Sequence, residues 1–62
     1  MKIEAHRYVV KVRQAGLPFV MATTFPAGKR AQAVSYAKNI SPLHAEVMVL
    51  DRITAVAVWR TK

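Results

Sequence analysis

The chain contains no cysteine. Disulfides are therefore excluded, along with thiolate zinc sites and thiol nucleophiles. Acids are nearly as scarce: Glu4, Glu46 and Asp51 are the only three, and their spacing shows none of the pairing that general acid–base chemistry uses. Glycine occurs only at Gly16 and Gly28. The TFPAGKR segment at residues 24–30 is accordingly no Walker loop, since it lacks the first glycine of that pattern and the Ser/Thr that should follow Lys29. No apolar run approaches the roughly 20 residues of a membrane helix. The opening MKIEAHRYVV has neither a continuous apolar stretch nor a small-residue cleavage site, so cytoplasmic residence without membrane attachment is expected. His6 and His44 are the only imidazoles, too few to build a zinc site alone. No metal or cofactor is expected, and no enzymatic activity, because a core this small seldom leaves a substrate cleft.

What is abundant is positive charge. Ten Lys and Arg stand against three acids, giving a net charge of +7 over 62 residues. Folding does not require such an imbalance, since like charges on a compact body cost free energy. The excess points to an acidic partner, and nucleic acid is the commonest one. Hydrophobic residues still make up 53% of the chain, too many for disorder. Residues 1–62 are expected to form one small domain.

Residues 6–13 (HRYVVKVR) are rich in β-branched and aromatic side chains and read as a strand. Tyr8, Val10 and Val12 share one face, and Arg7, Val9, Lys11 and Arg13 the other. Gly16 and Pro18 mark a hairpin loop over 14–18. Residues 19–25 form a second strand, with Phe19, Met21 and Phe25 expected on one face and Val20 and Ala22 on the other. The period then changes to that of a helix from Pro26 to about Asn39, with Thr24 as candidate N-cap. Ala33, Val34, Ala37 and Ile40 fall on one arc, extended by Ala27 and Ala31, while Gln32, Ser35 and Asn39 lie opposite. Pro42 prevents the helix from continuing. Residues 44–50 and 53–60 form two more strands around a two-residue Asp51-Arg52 turn. The expected fold class is α+β: a small antiparallel sheet from two β-hairpins with one connecting helix, in β-β-α-β-β order.

One helix covers one face of such a sheet. The two-residue turn would place Met48, Leu50, Ile53, Ala55, Ala57 and Trp59 together on the other face. An exposed patch of that kind is uncommon on soluble monomers, so a homodimer that buries it is expected. Burying about 600 Å² of apolar surface would contribute roughly 15 kcal/mol before association costs.

The candidate nucleic-acid-binding residues are Arg7, Lys11 and Arg13 on the first strand, Lys29 and Arg30 in the first helical turn, and Arg60 and Lys62 at the end of the last strand. A two-stranded ribbon can enter a major groove, and Lys and Arg also track phosphates without reading sequence. DNA is favoured over RNA, because the pair of stacking aromatics typical of an RNA-recognition sheet is not evident. The main alternative is a module or inhibitor that binds another protein through the Met48 and Trp59 face or through a sheet edge.

Overall fold

A computed structural model describes residues 6–61. Four strands form one antiparallel sheet: β1 (Tyr8–Arg13), β2 (Val20–Phe25), β3 (Glu46–Asp51) and β4 (Val56–Arg60), in spatial order β2-β1-β3-β4. A single helix, α1 (Arg30–Ile40), lies between β2 and β3 in the chain, so the fold is α+β in β-β-α-β-β order. The pairings make β2 and β3 parallel to each other, and β1 occupies the gap between them.

The core follows from strand alternation. Tyr8, Val10 and Val12 of β1 lie opposite Asp51, Val49 and Val47 of β3, on one face of the sheet. Ala33 and Ala37 of α1 pack onto them. Both alanines are fully buried, and their small size lets the helix approach the valines closely. Phe25, Ile40, Val58 and Trp59 close the cluster around its margin.

The helix starts later than its composition suggests. Ala27–Lys29 form a 3-10 turn, and neither it nor α1 has a side-chain cap. Thr24 belongs to β2 instead, with its hydroxyl 3.0 Å from His6 Nδ1. Ile40 ends the helix, and Ser41–Leu43 add a 3-10 turn that contains Pro42. Ala31 is exposed, so the buried arc is narrower than expected, whereas Gln32, Ser35 and Asn39 face solvent as the helical period requires.

The second hairpin corrects the expected register. The turn is not the two residues Asp51-Arg52; Asp51 is the last residue of β3, and the four residues 52–55 lead to Val56, which pairs with it. Ile53 and Ala55 therefore sit in the turn rather than on a strand face. Adding two residues to a turn leaves each strand residue on its expected face, but a single extra residue does not. Such a residue occurs at Val58, between the pairs Leu50–Ala57 and Val49–Trp59. Both Val58 and Trp59 consequently oppose Val49 and pack against the core on the helix side. Trp59 is thus removed from the face of Met48, Leu50 and Ala57. An equivalent bulge at Ala22 places Met21 opposite Lys11 and Phe25 opposite Tyr8, so Met21 and Phe25 lie on opposite faces.

Candidate nucleic-acid interface

Arg7 and Arg13 were expected to project from β1 toward an acidic partner, but both are engaged within the protein. Arg7 donates to Asp51 through Nε (3.2 Å to Oδ1) and Nη2 (3.0 Å to Oδ2). Its guanidinium also lies 5.4 Å from the Tyr8 ring centroid. Asp51 is only 4% exposed and accepts a further bond from the Ile53 amide at 2.9 Å. It therefore pins the start of the turn and the start of β1 together. The hydrogen bonds from Arg7 hold its carboxyl pKa at about 2 against the opposing effect of burial, with the Ile53 and Thr54 amides assisting. The same hydrogen bonding raises the pKa of Arg7. At the other end of the central strands, Arg13 pairs with Glu46, directly opposite on β3, and its guanidinium lies 5.8 Å from the Phe19 ring centroid.

These two pairs occupy both acids among the described residues. Of the eight described cations, Lys11, Lys29, Arg30, Lys38, Arg52 and Arg60 make no ion pair with a described residue. Their distribution is uneven. Lys11 lies on the sheet face away from α1, between Met21 and Met48 on its neighbours. Arg60 is opposite Met48 on the same face, and Arg52 is in the turn. Lys29 and Arg30 begin the helix, and both are exposed. Arg30 and Lys38 line one shallow concavity along a flank of α1 with Ala31, Val34 and Ser35. Lys62 lies outside the described residues.

Lys38 and Arg52 were absent from the sequence-derived basic set. A helical projection carries little signal for Lys38, which is eight residues beyond Arg30 and therefore about 80° around the helix from it. Arg52 was read as turn-forming, and nothing in its local pattern distinguishes it.

The apolar set also divides. Met48, Leu50 and Ala57, all half-buried, remain on the face away from α1 with the buried Val9, joined by Met21, which is 63% exposed. Among the described residues no element lies across this face. The protein-binding alternative cannot use Met48 and Trp59 as one surface, since they point to opposite sides. Both sheet edges carry bulges, a feature that disfavours addition of another strand.

Aromatic rings offer little platform for bases. Tyr8 is buried, Phe19, Phe25 and Trp59 are partly covered, and Tyr36 is 37% exposed with its ring 5.8 Å from that of Phe25. His44 Nδ1 lies 3.1 Å from Gln14 Nε2. No helix of the described residues is long and apolar enough to cross a membrane. No protein-family model, curated protein or solved structure matches the chain.

Proposed function

We propose that this protein is a small basic nucleic-acid-binding factor that acts in the cytoplasm and holds its ligand mainly through phosphates. The observation that carries this reading is the charge left after internal pairing. Six described cations have no described acid to satisfy them, while both described acids are committed to Arg7 and Arg13. A polyanion would offset the mutual repulsion and release its own counterions on binding. The binding set is narrower on the sheet than the sequence suggests, because Arg7 and Arg13 fix the fold.

Self-association forms a second part of the reading, supported by the exposed Met21 and the half-buried Met48, Leu50 and Ala57 on the sheet face opposite α1. A homodimer through that face would bring copies of Lys11 and Arg60 toward one another. Its stability should therefore rise with salt as that repulsion is screened. Nucleic-acid binding should show the reverse dependence. Sedimentation with and without duplex DNA at two salt concentrations separates the contributions. A salt-sensitive DNA complex together with a dimer that tightens in salt supports the proposal. If no DNA complex forms at low salt, the nucleic-acid reading fails, and capture of a protein partner by the open face becomes the better explanation.

A further inference from the structure

We infer that the flank of α1 lined by Arg30, Ala31, Val34, Ser35 and Lys38, rather than the β1 ribbon, is the surface that meets duplex DNA, lying over the major groove with Arg30 and Lys38 reaching phosphates across it. This inference rests on the nucleic-acid reading above and locates the contact. Three observations favour the helix. First, the segment from Pro26 to Leu43 carries Lys29, Arg30 and Lys38 and no acid. On the sheet, by contrast, Glu46 and Asp51 neutralise two of the cations. Second, Arg30 and Lys38 line a single concavity together with Ala31, Val34 and Ser35. Eight residues of helix separate the two cations by about 12 Å along the axis. A B-form major groove is about 12 Å wide. Third, Lys29 and Arg30 stand at the end of the helix dipole that repels cations, a local cost that a bound anion offsets.

The occupant is a duplex rather than a single strand. Single-strand binders stack bases on exposed aromatics, and none lines this concavity. B-form DNA is favoured over duplex RNA, whose major groove is deep and narrow. With no base-reading constellation on the face, binding should be largely indifferent to sequence.

The test compares two double variants of the whole chain by fluorescence anisotropy on a mixed-sequence DNA duplex across a salt series. R30Q/K38Q alters the helix face, and K11Q/R60Q alters the open sheet face. Circular dichroism confirms that both remain folded. The expected result is that R30Q/K38Q reduces the magnitude of the log–log salt slope by about 1.8, at roughly 0.9 per phosphate contact. At low salt it should weaken binding by at least tenfold. K11Q/R60Q should weaken binding several-fold less than R30Q/K38Q does. If K11Q/R60Q carries the loss and R30Q/K38Q does not, the placement on α1 is overturned while the nucleic-acid reading stands. Equal loss in both variants, or equally tight binding of duplex RNA, also overturns it. If the parent protein forms no salt-sensitive DNA complex, the functional reading and this inference fall together.

Discussion

Replacing Trp59 with alanine separates intramolecular packing from a role in assembly. Trp59 lies opposite Val49, is half-buried, and packs at the margin of the helix-side core. Large aromatic side chains bury about 150–250 Å² when fully enclosed. Partial burial here corresponds to roughly 100 Å², or about 2.5 kcal/mol at ~25 cal/mol per Å². A 62-residue domain rarely has more than about 3–5 kcal/mol in total, so the substitution removes at least half of it. In a domain of this size each kcal/mol moves the melting point by about 4–8 °C. The variant should therefore melt about 10–20 °C lower by circular dichroism, with the folded protein's self-association unchanged in sedimentation. A melting point within about 2 °C of the parent, accompanied by loss of association, would refute the helix-side placement and return Trp59 to an intermolecular contact.

Two other perturbations probe the hairpin turn. Ala55 adopts a left-handed conformation, with φ of 61°, which costs a residue with a Cβ about 1–2 kcal/mol. A55G should remove that cost while adding chain entropy to the unfolded state. The expected net gain is about 0.5–1 kcal/mol, visible as a melting point a few degrees higher; a lower melting point would contradict the turn geometry. For Asp51, a folded-state pKa of about 2 set chiefly by Arg7 lies below the ordinary unfolded value. Its contribution is present above about pH 4 and is lost as pH falls through about 2. Thermal melts at pH 5, 3 and 2 should show this decline in the parent and a flatter profile in D51N; parallel profiles would mean that the pair contributes nothing.

Much of the fold was legible in the sequence because each element carries its own period. The alternation of Tyr8, Val10 and Val12, and of Val47 and Val49, grouped residues that are all buried on the helix side, although Val9 on the opposite face of β1 is buried as well. The arc of Ala33 and Ala37 identified the helix side that packs on them. The positions of Met21 and Trp59 were not legible, since each depends on one extra residue in an edge strand, at Ala22 and Val58. A bulge leaves no compositional mark here, yet it reverses the face of the residues beyond it. The candidate site was only partly readable for a different reason. Composition reveals an excess of cations but not which of them meet the few acids. Arg13 and Glu46 are 33 residues apart, and Arg7 and Asp51 are 44 apart; only the β1–β3 pairing brings them together. That pairing removes two cations from the expected set and leaves the helix as the densest unpaired group.

The most direct test of a phosphate-binding surface is the salt dependence of DNA affinity for the unmodified protein. Three helix cations, Lys29, Arg30 and Lys38, set a lower expectation, and all six unpaired described cations set an upper one. The corresponding log–log slopes are about −2.7 and −5.4 per protomer. Between 50 and 200 mM salt, affinity should then fall by about 40-fold at the lower bound and by roughly 2,000-fold at the upper. A slope within that interval on unrelated duplexes is the expected result; a complex whose slope is shallower than about −1, or no complex at 50 mM salt, would contradict it.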